Sequence, residues 1–237
     1  MSPIFSPRRE LGRTGFVASV LGIGDLADRS VPLEDCVATV RRALEAGLNV
    51  IDTAPGYEDG YSEQIVGQAV SALPDRQGVF VIDKVDHKDD PVGPQVDGSL
   101  KALGLDHSDA FVFHGVSDME LWMRLTSDGG GFDQLAQSVE AGKTRFRGIS
   151  SHHPDVVNAA IESGLCDLVM FPIGAGVDAR YVDVCLPLAR ERGVATVCFK
   201  TFSAGKLVAD TTGYGRPLTE RPRGKFSSGP GGSGDSG

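Results

Sequence analysis

Residues 49–85, NVIDTAPGYEDGYSEQIVGQAVSALPDRQGVFVIDKV, contain two apolar runs on either side of an amphipathic segment. The runs Asn49–Asp52 and Val79–Val85 are rich in β-branched residues and do not alternate, which is typical of parallel strands buried on both faces. Between them, Ser62 predicts a helix N-cap, and the apolar positions from 65 to 70 recur at helical spacing. The stretch therefore predicts a strand–helix–strand unit.

The same unit recurs along the chain. Further apolar runs lie at Phe16–Leu21, Ala110–Phe113, Arg145–Ser150, Asp167–Phe171 and Ala195–Phe199. Helical patterns with a glycine next to their last residue lie at Leu33–Leu48, Phe132–Ala141, Pro154–Ser163 and Arg180–Arg192. A βα unit needs about 30 residues, and from the second run onward the runs begin 22 to 35 residues apart. We predict an α/β fold of the (β/α)8 TIM-barrel type, incomplete because seven runs are found where a closed barrel has eight strands.

The two ends of the chain depart from this repeat. LGRTG (11–15) predicts a turn between two short strands, and hence an N-terminal β-hairpin. Residues 221–237 are rich in Gly, Ser and Pro, a composition that buries too little surface to offset its ordering entropy. We expect a barrel over residues 1–207 and a disordered tail over residues 208–237.

Composition limits the class of protein and its partners. The chain has 237 residues, of which 41% are apolar and 23% charged, as in ordinary globular proteins. Its net charge of −9 argues against nucleic acid or an anionic membrane as the main partner, because both require a basic face. Four cysteines without a C-x-x-C pair, and an N-terminus without an apolar signal segment, indicate a protein of the reducing cytoplasm.

Four polar side chains stand at or near the ends of successive predicted strands. Asp52 ends the second run, Tyr57 follows five residues later, Lys84 lies near the end of the third run, and His114 follows the fourth. Active sites of βα barrels lie at the carboxyl ends of the strands. Each residue alone has a structural explanation, but four of them at one mouth predict an active site.

These residues belong to motifs that resemble the aldo-keto reductase family. The motifs are LGRTG (11–15), NVIDTAPGY (49–57), SE (62–63) before VG (66–67), Lys84, SLKALGLD (99–106) before His114, AGK (141–143) and GIS (148–150). They follow the family's order over roughly residues 9 to 207. The resemblance implies a barrel that binds NADP(H), with NAD(H) as the other option, and interconverts carbonyl and alcohol groups of a small-molecule substrate.

The resemblance also implies a role for each residue. Tyr57 is expected to donate a proton to the carbonyl oxygen, Lys84 to lower the pKa of Tyr57, Asp52 to hold Lys84, and His114 to orient or polarise the carbonyl. The expected cofactor-binding residues are Gly22, Asp52, Ser150, Ser151, Met170, Lys200, Thr201, Phe202, Gly205 and Leu207. Met170 stands where the family usually has glutamine, and no counterpart of the family's 2′-phosphate clamp is found, so we expect weak NADP(H) binding.

Other interpretations remain open at this point. GIGDLA (22–27) matches a loose dinucleotide-binding fingerprint, although the predicted helix begins too late for a Rossmann unit. His152 and His153, with His114 and Asp52, suggest a metal-dependent hydrolase, although adjacent histidines point to opposite sides of a strand. Asp83, Asp86, Asp89 and Asp90 are expected to lie in a solvated loop. A non-catalytic barrel that binds a partner is the alternative to an enzyme.

Overall fold

The structure, a computed structural model, describes residues 5–25 and 27–201. Its strands are β1 (Arg8–Glu10), β2 (Val17–Ser19), β3 (Val50–Asp52), β4 (Phe80–Val85), β5 (Ser108–Phe113), β6 (Thr144–Ser150), β7 (Leu168–Pro172) and β8 (Ala195–Phe199). Its α-helices are α1 (Leu33–Glu45), α2 (Tyr61–Ser71), α3 (Val92–Leu103), α4 (Met119–Thr126), α5 (Gly131–Glu140), α6 (Pro154–Glu162) and α7 (Leu186–Arg192).

The strands β3 to β8 form one parallel sheet in which each strand pairs with the next one along the chain. The sheet curls into a half-barrel. Its concave face carries an apolar interior that includes Phe80, Val112 and Met170, whereas its convex face packs against the helices. All six carboxyl ends therefore lie along one rim, and the loops that follow them share one mouth.

The predicted α/β barrel fold and the N-terminal hairpin are confirmed. The first of the seven runs is placed differently, because Val17–Ser19 pairs antiparallel with Arg8–Glu10. With its backbone groups engaged in that hairpin, this segment does not join the parallel sheet. Within the described residues, this part of the chain pairs with the parallel sheet at Ile23, through an isolated parallel bridge to Ile51. Among the described residues, the parallel sheet has six strands, not seven.

The predicted helices are found with small changes at their ends. Ser62 is not the N-cap of α2, since the helix already begins at Tyr61, and its N-cap is Gly60 at φ +79°. The Ser62 hydroxyl instead accepts a hydrogen bond from Thr53 Oγ1 at 2.8 Å. The pattern at Arg180–Arg192 divides into a π-helical turn, Tyr181–Cys185, and α7.

Three further findings concern the loop before the first helix, membrane spans and the cysteines. Within the described part of GIGDLA (22–27), no helix begins, and the first helix starts only at Leu33, so the Rossmann interpretation is wrong. Among the described residues, no helix is both long and apolar enough to cross a membrane. All four cysteines are free thiols, and Cys36, Cys166 and Cys185 are buried.

Candidate active site

The parallel sheet brings the four predicted catalytic residues to one mouth. Asp52 is the last residue of β3, Lys84 is the last but one of β4, and His114 directly follows β5. Tyr57 comes from the loop between β3 and α2. Neighbouring strands position these groups because Asp52 pairs with Ile82 across β3 and β4, and Lys84 pairs with Val112 across β4 and β5.

Lys84 is the central contact of this cluster. Its side chain is 2% exposed, and its Nζ donates to Asp52 Oδ1 at 2.6 Å and to the Thr53 carbonyl oxygen at 2.6 Å. The same Nζ lies 4.5 Å from the centre of the Tyr57 ring. Burial alone lowers the pKa of Lys84, but the charge and the hydrogen bond of the Asp52 carboxylate outweigh burial and raise it above its ordinary value. Lys84 is therefore an ammonium at neutral pH.

The pKa of Tyr57 is higher than the sequence predicted. Burial raises the pKa of its phenol to about 12, although the Lys84 ammonium acts in the opposite direction. The expected direction of the Lys84 effect is therefore present, but it does not bring the pKa of Tyr57 below that of an ordinary phenol. At neutral pH Tyr57 carries its proton, which is the state that a proton donor needs.

His114 completes the cluster and contacts Asp86, which was expected to lie in a solvated loop. Its ring meets the Tyr57 ring edge-on, with centroids 5.5 Å apart. Its Nδ1 lies 2.5 Å from Asp86 Oδ1, and Asp86 Oδ2 accepts the Gly56 N–H at 2.8 Å. The expectation that Asp86 lies in a solvated loop is wrong, because the side chain is only 16% exposed and faces the active site.

The loop that carries Tyr57 has an unusual backbone. Glu58 and Asp59 have φ values of +49° and +50°, in the left-handed region that non-glycine residues rarely occupy. Arg29 holds this turn from outside, since its Nε donates to the Glu58 carbonyl oxygen at 2.9 Å and its Nη2 to that of Asp59 at 3.1 Å. Such conformations persist where several surrounding contacts hold the backbone in place, and they are common near active sites.

The predicted cofactor-binding residues are spread along the sheet. Ser150 ends β6, and its Oγ accepts the Gly115 N–H at 2.8 Å, while the Ser151 N–H donates to the Met170 carbonyl oxygen at 2.9 Å. Met170 is 1% exposed and fills the barrel interior, where its thioether meets apolar side chains. Gly22 lies against Val50 at the start of β3. The structure therefore brings Ser150 and Ser151 to the rim and places Gly22 two residues below it.

The remaining predicted cofactor residues follow β8. Lys200 comes directly after the strand, with φ +58°, and Thr201 is the last described residue. Phe202, Gly205 and Leu207 lie outside the described residues. His152, one residue beyond Ser151, packs against the Phe199 ring at 5.2 Å between centroids. Burial, together with the nearby Lys200 charge, lowers the pKa of His152 to about 4.

Among the residues that the structure describes, no group of three His, Cys, Asp or Glu side chains is close enough to hold a metal ion. His152 and His153 therefore do not converge with His114 and Asp52 on one centre. Adjacent residues of an extended segment project to opposite sides, which accounts for their separation.

Asp83 is a second acidic residue that does not lie in the expected solvated loop. Asp83 lies inside β4 and is completely buried, and its carboxyl group interacts electrostatically with that of Glu63, which is 3% exposed. Burial and the charge of Glu63 raise the pKa of Asp83 well above its ordinary value, and burial also raises the pKa of Glu63. Among the described residues, no donor reaches Asp83 Oδ2 or Glu63 Oε1. Both carboxyl groups therefore keep a proton more readily than an exposed carboxyl group does.

Because of this pair, we expect the free energy of unfolding to fall as the pH rises. A carboxyl group with a raised native pKa binds more protons in the folded than in the unfolded chain, so raising the pH above the ordinary carboxyl range favours unfolding. Asp83→Asn removes this penalty and keeps both contacts, because the amide oxygen still accepts the Lys84 N–H that Asp83 Oδ1 accepts at 2.7 Å, and the amide nitrogen donates to Glu63. At pH 8 we expect the free energy of unfolding to increase by about 1 kcal/mol.

Urea unfolding at several pH values measures this effect. The advantage of D83N over the wild type should shrink as the pH falls toward the ordinary carboxyl range. Asp90→Asn, at an exposed position of the following loop, is the matched control and should leave the pH dependence unchanged. A D83N chain that is less stable than the wild type at pH 8 would contradict a free-energy cost of ionising Asp83.

Comparison with known proteins places this geometry in a family. The sequence model of the Aldo/keto reductase family matches residues 20–228. The chain is 26% identical over 229 residues to an NADH-specific methylglyoxal reductase of Escherichia coli strain K12, covering 85% of this chain and 69% of that protein. It is 29% identical over 215 residues to an L-galactose dehydrogenase of Arabidopsis thaliana, covering 84% of this chain and 66% of that protein. The chain thus spans about two thirds of the length of these relatives.

Solved structures show the same fold. A holo-form aldo-keto reductase of Bacillus halodurans superimposes with a TM-score of 0.71 at 24% identity, over 89% of this chain and 71% of that one. An aldo/keto reductase of Klebsiella pneumoniae in complex with NADP and acetate gives a TM-score of 0.71 at 22% identity, over 85% of this chain and 71% of that one. With a half-barrel that carries Asp52, Tyr57, Lys84 and His114 at its mouth, and a family match over most of its length, this chain belongs to the aldo/keto reductase family.

Proposed function

We propose that this protein is an NADP(H)-dependent oxidoreductase that reduces an aldehyde or ketone to an alcohol, or oxidises an alcohol or sugar in the reverse direction. The observation that carries the proposal is the Lys84 ammonium, held by Asp52 at 2.6 Å and placed 4.5 Å from the Tyr57 ring, at the mouth that His114 also borders. Such a cluster can protonate an oxygen on which negative charge develops.

Each side chain has a task in this reaction. Tyr57 holds a proton at neutral pH and gives it to the carbonyl oxygen as the alkoxide forms. Lys84 stabilises the phenolate that remains, because an ammonium favours the charged form of a neighbouring phenol. Asp52 keeps Lys84 in place and charged, and His114 orients the carbonyl by hydrogen bonding.

The residues on the other side of the mouth fit a nicotinamide dinucleotide. The Ser150 oxygen accepts the Gly115 N–H, which leaves the hydroxyl proton able to donate to a carboxamide. Lys200 supplies a cation and Thr201 a hydroxyl after β8, both suited to phosphate oxygens. When bound, the dinucleotide supplies the hydride. We propose Gly22, Asp52, Ser150, Ser151, Lys200 and Thr201 as its described contacts, with Met170 beneath them in the barrel interior.

Two comparisons bear on the choice of cofactor. The Klebsiella pneumoniae structure is a complex with NADP, whereas the Escherichia coli relative is named as NADH-specific. We therefore propose NADP(H) as the cofactor, with NAD(H) as the alternative. The four free cysteines support a cytoplasmic location, and the acidic net charge of the chain favours a small-molecule substrate over nucleic acid.

The proposal predicts consumption of NADPH that depends on an added aldehyde or ketone. The assay follows NADPH absorbance with a panel of small aldehydes, with NADH in parallel, and fluorescence titration measures binding of each dinucleotide. Carbonyl-dependent oxidation of either dinucleotide supports the proposal. Binding without turnover across the panel would favour the non-catalytic barrel, and a submicromolar Kd for NADPH would contradict the weak binding expected from the sequence.

A further inference from the structure

Asp86 connects the two segments that border the substrate side of the mouth. One carboxylate oxygen, Oδ1, lies 2.5 Å from His114 Nδ1, and the other, Oδ2, accepts the Gly56 N–H at 2.8 Å. Gly56 directly precedes Tyr57 in the chain. A single side chain thus contacts the residue beside the predicted proton donor and the ring of the predicted carbonyl-orienting residue.

The fit at Gly56 is close enough to restrict that position. A Cβ added there would lie 2.6 Å from Asp86 Oδ2, so only glycine allows the backbone N–H to approach the carboxylate in this way. Hydrogen bonds from His114 and Gly56 hold the pKa of Asp86 below its ordinary value, although burial alone would raise it. Asp86 is therefore a carboxylate at neutral pH, and both of its oxygens are acceptors.

An acceptor at this distance decides which ring nitrogen of His114 carries the proton. A carboxylate oxygen 2.5 Å from Nδ1 requires a hydrogen on Nδ1. In the neutral ring, Nε2 then has a lone pair and no hydrogen. From this geometry we infer that Asp86 is a positioning residue that fixes His114 in the Nδ1–H tautomer and ties the ring to the Tyr57 loop; the inference rests on the proposed function for its consequences in turnover.

The tautomer has different consequences for the two directions of the reaction. A neutral His114 with a bare Nε2 can accept the hydroxyl of an alcohol substrate but cannot donate to a carbonyl oxygen. Only the doubly protonated ring offers an Nε2–H to a carbonyl. Carbonyl reduction should therefore depend on a hydrogen at His114 Nε2, whereas alcohol oxidation should not require it.

Asp86→Asn tests the inference because an amide has one acceptor where the carboxylate has two. The Gly56 N–H can only donate, so the amide oxygen should face Gly56 and the amide nitrogen should face His114 Nδ1. The His114 ring can respond by moving its proton from Nδ1 to Nε2. D86N is therefore expected to invert the tautomer of neutral His114.

Nitrogen NMR of the imidazoles reads this tautomer directly in the chain without substrate or cofactor. The chain has five histidines, and His114→Asn identifies the signals of His114 by their loss. We expect Nδ1–H in the wild type and Nε2–H in D86N. Asp89→Asn is the matched control, because that carboxylate is 84% exposed on the same segment and should leave the tautomer unchanged. An Nε2–H tautomer in the wild type, or the same tautomer in wild type and D86N, would overturn the inference.

Because the NMR result needs no turnover, a failure of the proposed activity and a failure of this inference are distinguishable.

Discussion

Replacing Tyr57 with phenylalanine is expected to lower the turnover of carbonyl reduction by about 10²–10⁴-fold and to leave dinucleotide affinity unchanged. Under the proposed function, the phenol gives its proton to the carbonyl oxygen as negative charge develops there. Its pKa of about 12 keeps it protonated throughout the physiological range. Phenylalanine keeps the ring that meets His114 edge-on at 5.5 Å and lies 4.5 Å from Lys84 Nζ, so the packing of the mouth is retained.

Steady-state kinetics and fluorescence titration of Y57F measure the two expectations separately. Tyr61→Phe is the matched control: this tyrosine lies four residues further along, and its hydroxyl donates to the Val31 carbonyl oxygen at 3.0 Å, outside the cluster. Y61F should retain wild-type turnover. Unchanged turnover in Y57F would remove the phenol from the mechanism, even if the dinucleotide binds normally.

The positions of Asp52, Lys84 and His114 could be predicted because they depend only on the repeat. Each of these residues stands at or near the end of an apolar run, and parallel strands bring their carboxyl ends to one rim. The hairpin could be predicted from its turn sequence, but the parallel-strand assignment of Phe16–Leu21 was wrong. A short β-branched run looks alike in a hairpin and in a parallel sheet, and only the partner strand decides between them.

The acidic residues were harder to place because their partners are distant in the sequence. Asp86 contacts Gly56 and His114, which lie 30 and 28 positions away, and each contact joins segments that follow neighbouring strands. A run of charges over residues 83–90 therefore looks like a solvated loop. For Asp83 a signal was present, since it lies within Val79–Val85, a run already predicted to be buried on both faces.

The pKa of the Tyr57 phenol could not be predicted from residue types. The neighbouring Lys84 lowers the pKa of the phenol, but the burial that makes this contact close also removes the water that would stabilise a phenolate. The result depends on how deeply the mouth is enclosed. That depth is set by the packing of several loops and not by any one motif.

Lys84→Met is expected to impair both stability and turnover. Methionine removes the ammonium that donates to Asp52 Oδ1 and to the Thr53 carbonyl oxygen, and it leaves the Asp52 carboxylate, which is 16% exposed, without its partner. Breaking an ion pair that is this deeply buried costs about 3 kcal/mol. Turnover should fall by at least about 10²-fold, because the pKa of Tyr57 rises further without a neighbouring positive charge.

A second substitution separates these two effects. In the double variant K84M/D52N the unpaired carboxylate becomes a neutral amide, so most of the lost stability should return, whereas turnover should stay low because the ammonium is still absent. Lys143→Met is the matched control: its Nζ pairs with Asp97 at 2.5 Å, but the two side chains are 36% and 58% exposed, and such surface pairs contribute at most about 1 kcal/mol. Urea unfolding and steady-state kinetics of the four chains measure the outcome. Recovery of turnover together with stability in the double variant would show that Lys84 serves only to hold the fold, and that the chemistry at Tyr57 does not depend on its charge.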